Sequence, residues 1–132
     1  MATEMRIYFP GGARVYADYK GMTIQTDQPP PAGEGSAPAP FDLFLASLGT
    51  CVGIYILGFC RQRNINSDGM EILQTMEYDP DTRLISIINL EIKLPPNFPE
   101  KYREALIQTA KLCAVKRHLE NPPEFHVFVT PA

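Results

Sequence analysis

A chain of 132 residues with a formal net charge of −3 is long enough for one domain with a hydrophobic core. Its composition is that of a globular protein, and the absence of a basic cluster argues against binding to nucleic acid or to an anionic membrane. Three cysteines do not suggest a disulfide framework, and the first residues lack a secretory signal pattern. We predict a single domain, residues 1–132, in the reducing cytoplasm.

The beginning of the chain predicts a three-stranded antiparallel meander. Gly11-Gly12 and Lys20-Gly21 stand where hairpin turns are required. Residues 27–39, rich in Pro and Gly, suit neither a strand nor a helix start. They form either a solvated crossover or a flap over the helix that follows. The three predicted strands, which mix β-branched and aromatic residues with polar ones, are residues 5–9, 14–19 and 22–26.

The apolar stretch from Pro40 to Cys60 predicts a helix around which the rest of the chain is organised. Pro40 suits the first helical position, Asp42 favours the positive end of the helix dipole, and Arg61 and Arg63 lie at the negative end. Apolar side chains surround the predicted axis, so the helix requires cover on every side. We therefore expect a second subunit to cover part of it. A membrane span is the alternative at this length, but the polar residues within the stretch disfavour it.

The second half of the chain predicts a long hairpin, a second helix and a closing strand. Asp79-Pro80-Asp81 is a turn signature between two strands, and Pro95 to Pro99 stops the second strand. The order of elements gives an α+β fold with segregated strands and helices. The predicted elements are strands over 70–78 and 83–94, a helix over 100–119 that stops before Asn121-Pro122-Pro123, and a last strand over 125–130.

The spacing of the cysteines limits which of them can react together. Cys60 lies nine residues after Cys51, about 13 Å along an intact helix, and a disulfide needs α-carbons about 4.4 to 6.8 Å apart. We therefore interpret Cys60 as a core residue. Cys113 lies on the inward face of the second predicted helix, and packed helices can bring two cysteines together. Both a functional pair and two inert buried thiols remain open at this point.

The sequence around Cys51 and Cys113 resembles the OsmC/Ohr family of thiol-dependent peroxide reductases. The first matching segment, from Pro40 to Cys51, reads PFDLFLASLGTC, and the second, from Leu112 to Val115, reads LCAV. The resemblance covers nearly the whole chain. It implies an intertwined α+β homodimer whose two central helices pack together, with sites at the subunit interface.

The resemblance also implies a reaction and its residues. Cys51 matches the cysteine that attacks a hydroperoxide and becomes a sulfenic acid, and Cys113 matches the one that resolves it as a disulfide. Arg14 is the candidate for the arginine that lowers the pKa of the attacking thiol, and Asp42 is the candidate for the carboxylate that holds this arginine. From the residues alone, Arg14 is equally a surface residue of a strand, and Asp42 a residue that stabilises the helix start. The chain departs from many relatives at Ala114, where they have proline.

The function predicted from these residues is a cytoplasmic, homodimeric peroxidase of the stress response that reduces small organic hydroperoxides. It would use no metal and no flavin, and it would take electrons from an unidentified dithiol reductant. The two rival interpretations are a non-enzymatic protein that binds a small fatty-acyl-like ligand on the same fold, and a redox sensor.

Overall fold

The structure is a computed structural model that describes residues 3–131. The chain divides between residues 46 and 47 into two compact units, and the long helix α1, Pro40–Gln62, begins in the first and ends in the second. The first unit contains a sheet, and the second contains a two-stranded hairpin and the remaining helices. The α+β class predicted from the order of elements is confirmed.

The sheet of the first unit is the predicted meander. Its strands are β1 (Arg6–Gly11), β2 (Arg14–Tyr19) and β3 (Met22–Thr26), with β2 in the centre and both pairings antiparallel. The turn between β1 and β2 places Gly12 at φ 59°, and the turn between β2 and β3 places Gly21 at φ 75°. Glycine adopts these left-handed conformations without steric cost, so the turn residues close the hairpins where the sequence predicts.

The Pro- and Gly-rich segment after β3 is organised around one buried carboxylate. The side chain of Asp27, only 1% exposed, accepts hydrogen bonds from the backbone N–H groups of Gln28 and Ser36, at 2.7 and 3.0 Å, and from the Ser36 hydroxyl at 2.6 Å. These bonds hold the pKa of Asp27 down to about 2, against the opposing effect of burial. The segment is therefore an ordered loop closed on itself, with the backbone N–H of Asp27 donating to the carbonyl of Pro38 at 3.2 Å.

Helix α1 begins and ends close to the predicted residues. Asp42 accepts a hydrogen bond from the backbone N–H of Ala39 at 3.0 Å, which satisfies a free donor at the helix start. At the other end Arg63 donates to the carbonyl of Phe59 at 3.2 Å, and its guanidinium lies 3.7 Å from the centre of the Phe59 ring. By length and composition α1 also matches a membrane span, but the core helix of a soluble protein passes the same test.

Within the single chain α1 is buried along one stripe. Its buried residues recur every three or four positions, and Ile54 on another face is 59% exposed. The expectation of cover on every side is therefore not met by one chain. The exposed side chain of Ile54 remains available for another surface. The buried residues are Leu48, Val52, Ile56, Phe59 and Cys60.

The hairpin of the second unit packs its inner face on α1. Strands β4 (Glu71–Tyr78) and β5 (Ile85–Lys93) pair antiparallel, and alternate residues of each are shielded from solvent. Gly49 of α1 permits the close approach of β4, because a Cβ there would lie 2.5 Å from the side-chain oxygen of Gln74. A Cβ at Gly53 would make only an ordinary contact with Ile72, at 3.8 Å.

The second predicted helix is broken into three pieces, and the expectation of one continuous helix over residues 100–119 is wrong. A 3-10 helix at Glu100–Tyr102 leads into α2 (Arg103–Ala110), and α3 (Ala114–Glu120) follows after a gap. Cys113 lies in the gap at φ −50° and ψ 127°, an extended conformation that no α-helix contains. The break occurs with Ala114, not proline, as the next residue.

The predicted last strand is absent from the single chain. Residues 121–131 form no helix and no strand, and their apolar side chains are exposed, up to 96% for Val127. An extended apolar segment needs a partner strand to satisfy its backbone groups, and the described part of this chain offers it none. The sequence pattern therefore identifies a segment suited to a sheet without identifying the strand that it joins.

Candidate active site

The structure brings Cys51 and Cys113 together in the second unit. Cys51 lies in the middle of α1, and Cys113 directly precedes α3, with its backbone carbonyl accepting the first helical hydrogen bond from Arg117 at 3.0 Å. Cys113 is 1% exposed and belongs to the hydrophobic core, and Cys51 packs against that core. The break before α3 makes this arrangement possible, because it points the free N–H groups at the start of α3 toward Cys51.

The surroundings of Cys51 favour its thiolate. Burial opposes ionisation, but hydrogen bonds from the backbone N–H groups of Val115 and Ala114 and from the Cys113 thiol outweigh it and lower the pKa of Cys51. The amides belong to the first turn of α3, where they have no intrahelical acceptor. A lowered pKa increases the fraction of the thiol that is present as the nucleophilic thiolate.

The other two cysteines are held as neutral thiols. Burial, together with the hydrogen bond to Cys51, raises the pKa of Cys113. Cys51 is therefore the more acidic thiol of the two, which suits a nucleophile that reacts before its partner. Burial also raises the pKa of Cys60, which is fully buried in the core. The prediction that Cys60 is a core residue is confirmed.

An apolar cavity of about 780 Å³ lies beside Cys113 in the second unit. Its walls come from α1, β5, α2 and α3, and most of its lining residues are aliphatic, among them Val52, Leu90 and Leu106. Cys113 forms part of the wall. A cavity of this size and composition suits the hydrocarbon part of a small organic molecule.

Arg14 and Asp42, the other two predicted site residues, lie in the first unit. Arg14 donates a hydrogen bond from Nε to the carbonyl of Gly11 at 3.1 Å and so braces the turn between β1 and β2. Asp42 caps the start of α1 through the N–H of Ala39. Within residues 3–131 no ion pair joins the two side chains, so each has a local structural role.

Sequence reasoning missed two features of the site. The first is the pair of backbone amides at Ala114 and Val115. They are available because the helix breaks at Cys113, and no residue type in the sequence marks them. The second is the cavity, whose walls come from segments far apart in the chain. In the part of the chain that is described, no group of three His, Cys, Asp or Glu residues is suited to hold a metal ion.

Comparison with known proteins places this arrangement in a family. Residues 33–128 match the family model described as OsmC-like protein. No curated protein sequence matches the chain significantly. Among solved structures, the chain resembles a protein from Psychrobacter arcticus assigned to the osmotic stress induced and detoxification response, with 26% identity, a TM-score of 0.73, and coverage of 89% of this chain and 88% of that one.

Two further structures share the fold at lower identity. The organic hydroperoxide resistance protein OhrB of Bacillus subtilis is 17% identical, with a TM-score of 0.55 and coverage of 90% of this chain and 93% of that one. The organic hydroperoxide resistance protein OsmC of Legionella pneumophila is 20% identical, with a TM-score of 0.51 and coverage of 90% and 89%. Since the family model matches most of the chain, this protein belongs to the OsmC-like family, within the wider OsmC/Ohr group.

Proposed function

We propose that this protein is a thiol-dependent peroxidase that reduces organic hydroperoxides. The observation that carries the proposal is the Cys51 thiol, whose pKa is lowered by the first turn of α3 and by its neighbour Cys113. Two structural relatives named for organic hydroperoxide resistance support the choice of substrate class.

The reaction begins with attack by the Cys51 thiolate on the terminal oxygen of the hydroperoxide. The O–O bond breaks, the sulfur is oxidised to a sulfenic acid, and the leaving alkoxide takes a proton to become an alcohol. The Cys113 sulfur then attacks the Cys51 sulfur. An S–S bond forms, and the sulfenic hydroxyl leaves with the Cys113 proton as water.

A dithiol reductant completes the cycle by thiol–disulfide exchange, which returns both cysteines to the thiol form and leaves the reductant as a disulfide. Electrons and atoms balance as one hydroperoxide and one dithiol giving one alcohol, one water and one disulfide. The reducing cytoplasm is the compartment that supplies such a donor.

The proposal includes roles for Arg14 and Asp42 taken from the resemblance: a guanidinium that stabilises the thiolate and a carboxylate that orients it. Arg14→Gln keeps a polar side chain and removes the charge. We expect it to slow thiol oxidation by hydroperoxide, and Arg6→Gln, an exposed cation on β1, serves as the matched control. Equal rates for the two variants would remove Arg14 from the mechanism.

We also propose that the protein is a homodimer. The exposed Ile54 face of α1 and the unpaired segment 121–131 both present apolar surface that a second copy would cover. Light scattering after size exclusion measures the mass of the particle. A monomer at micromolar concentration would contradict the proposal.

The cavity favours one alternative function, a protein that binds a small acyl ligand without turnover. Consumption of cumene hydroperoxide in the presence of dithiothreitol, compared for the wild type, Cys51→Ser and Cys113→Ser, separates the alternatives. The peroxidase predicts turnover by the wild type and a loss of at least about a thousandfold in Cys51→Ser, since removing a nucleophile has effects of this size. No turnover with unreactive thiols favours the binder, and a single oxidation without turnover indicates a sensor.

A further inference from the structure

The two sulfur atoms of the reactive pair differ in how easily a second molecule reaches them. Within the single chain Cys51 is half-buried, whereas only 1% of Cys113 is exposed. Cys113 forms part of the cavity wall, but at this exposure a water molecule hardly touches it, and a thiol sulfur is larger than water. The reduced structure therefore leaves Cys51 open to an incoming molecule and keeps Cys113 closed.

Reduction of a disulfide has two possible directions. The attacking thiolate bonds to one sulfur, and the other sulfur leaves with the electron pair of the broken S–S bond. The more acidic thiol leaves faster. The surroundings lower the pKa of Cys51 and raise that of Cys113, so the faster direction is the one in which Cys51 leaves. In this direction the reductant must bond to Cys113, which is the buried sulfur.

The segment attached directly to Cys113 is α3, and few contacts hold it. This helix has seven residues and none of them is fully buried. Val115 is the one residue of α3 that is half-buried, and it packs against the core cluster that contains Cys113. A helix of this length is not stable by itself. Its position therefore depends on the Val115 side chain and on the contacts of its first turn.

The contacts of the first turn depend on the redox state of Cys51. In the reduced protein the backbone N–H groups of Ala114 and Val115 donate to the Cys51 sulfur. A thiolate accepts such bonds strongly and favours the positive end of the helix dipole. A disulfide sulfur has no charge and accepts weakly. Oxidation therefore removes one of the two attachments of α3, and only the Val115 side chain still holds it.

We propose that α3 is a redox-controlled gate: formation of the Cys51–Cys113 disulfide loosens it, and the dithiol reductant then attacks Cys113 and expels Cys51. The inference rests on the proposed function, because it takes this disulfide as the intermediate of the cycle.

The reduction proceeds in two exchanges. A thiolate of the dithiol bonds to the Cys113 sulfur while the S–S bond breaks and Cys51 leaves as a thiolate. The second sulfur of the dithiol, also as a thiolate, then attacks the first one and releases Cys113, which takes up a proton. The dithiol becomes a disulfide, and its two electrons and two protons restore both cysteines.

The direction of attack is tested on protein oxidised with diamide, which takes two hydrogen atoms from the thiol pair and requires no peroxidase activity. The oxidised full-length protein is exposed briefly to the monothiol 2-mercaptoethanol, and free thiols are then blocked with N-ethylmaleimide. Peptide mass spectrometry assigns both labels. We expect about ten times more chains with mercaptoethanol on Cys113 and maleimide on Cys51 than the reverse, since the more acidic thiol leaves faster.

The gate itself is tested by amide hydrogen exchange of α3, residues 114–120. We expect these amides to exchange about tenfold faster in the diamide-oxidised protein than in the reduced protein, because local opening becomes easier. The amides of the hairpin formed by β4 and β5 are the internal control, and we expect their exchange to be the same in both forms.

A variant of α3 links opening to the rate of reduction. Val115→Ala removes most of the side chain that holds α3 on the core, so we expect dithiothreitol to reduce its disulfide about fivefold faster than that of the wild type. Val15→Ala is the matched control, because it removes the same two methyl groups from a half-buried position on β2 in the first unit. We expect it to be reduced at the rate of the wild type. Thermal unfolding verifies that both variants are folded.

Mercaptoethanol found mainly on Cys51 would overturn the proposal. So would equal exchange of α3 in the two redox forms, equal rates of reduction for Val115→Ala and Val15→Ala, or the absence of a Cys51–Cys113 disulfide after diamide. If the diamide-oxidised protein behaves as expected but the reduced protein does not react with cumene hydroperoxide, the result supports the gate and refutes the peroxidase.

Discussion

The thiol of Cys113 lies beside Cys51 and lowers its pKa by hydrogen bonding, although Cys51 belongs to α1 and Cys113 to the gap between α2 and α3. This contact shifts the pKa values of two chemically identical groups in opposite directions. Cys51 becomes the more acidic thiol and Cys113 the less acidic one. The pair is therefore asymmetric before any substrate arrives, and the asymmetry fixes which sulfur attacks first.

We predict that iodoacetamide alkylates Cys51 first and that the reaction extends to lower pH than for an ordinary thiol. The lowered pKa of Cys51 maintains its thiolate as the pH falls, whereas the raised pKa of Cys113 keeps that thiol protonated. Peptide mass spectrometry after short exposure at several pH values identifies the modified residue. Preferential alkylation of Cys113 would reverse the assigned roles.

A related prediction concerns the donor itself. Cys113→Ala removes a hydrogen bond to the Cys51 thiolate, so the pKa of Cys51 rises and its alkylation at neutral pH slows. Cys60→Ala is the control, because Cys60 lies in the core and is not among the donors to Cys51. If the pH dependence of Cys51 alkylation is unchanged in Cys113→Ala, the backbone amides of α3 stabilise the thiolate by themselves.

Cys113→Ser should trap the oxidised form of Cys51. After one equivalent of cumene hydroperoxide, this variant lacks the resolving thiol and is expected to hold a sulfenic acid, visible as the added mass of one oxygen atom and as an adduct with dimedone. The wild type under the same conditions is expected to lose two hydrogen atoms instead. A dimedone adduct on Cys113 of the wild type would contradict the order of the steps.

The helices and strands of the first two thirds of the chain could be predicted from the sequence. The helix break and the missing last strand in the final third could not. The meander and α1 have strong local signals: turn glycines, an N-terminal proline and an acidic residue in the first turn. The break at Cys113 has no proline or glycine to mark it, and it arises from packing. The segment 125–130 has strand composition but finds no partner in one chain, because pairing is a non-local property.

The candidate site likewise has some features that could be predicted from the sequence and others that could not. Cys51 and Cys113 were found through their sequence context, and the structure brings them together. The amides of Ala114 and Val115 and the cavity depend on how segments distant in the chain are arranged. Asp42 has a local role at the helix start that its position in the first turn already indicated.

Because of Asp27, the folding stability of the protein should depend on pH in the acidic range. The folded protein keeps this carboxyl ionised down to a pKa of about 2, whereas the unfolded chain protonates it near 3.8. Protons therefore bind the unfolded chain first, and the stabilisation present at neutral pH is lost as the pH falls from about 4 to about 2. In urea unfolding, the wild type should have a higher unfolding free energy than Asp27→Asn at pH 7, and the two values should converge near pH 2.

Asp68→Asn, which removes an exposed carboxylate from a surface turn, is the control for that charge change. It is expected to unfold like the wild type across this range. A difference in unfolding free energy between the wild type and Asp27→Asn that stays constant with pH would show that the charge of Asp27 does not stabilise the loop.

Gly33→Ala should destabilise the same loop. A Cβ at Gly33 would overlap the carbonyl of Gln28 and the carboxylate of Asp27, both fixed by hydrogen bonds, and overpacking of this kind costs about 1–3 kcal/mol. Gly58→Ala, in α1 with open space around the new methyl group, is expected to stabilise the protein by up to about 1 kcal/mol. Thermal unfolding measures whether Gly33→Ala lowers the stability of the protein and Gly58→Ala raises it. Destabilisation by Gly58→Ala would show that the helix surface around Gly58 is covered.

The stoichiometry of a single turnover tests the peroxidase most directly. Reduced wild-type protein is mixed with one equivalent of cumene hydroperoxide without reductant, and free thiols, cumyl alcohol and disulfide-linked peptides are measured. We predict loss of two thiols per chain, formation of one alcohol, and a disulfide that joins Cys51 to Cys113 and leaves Cys60 free. Intact hydroperoxide with three free thiols, or a disulfide that includes Cys60, would contradict it.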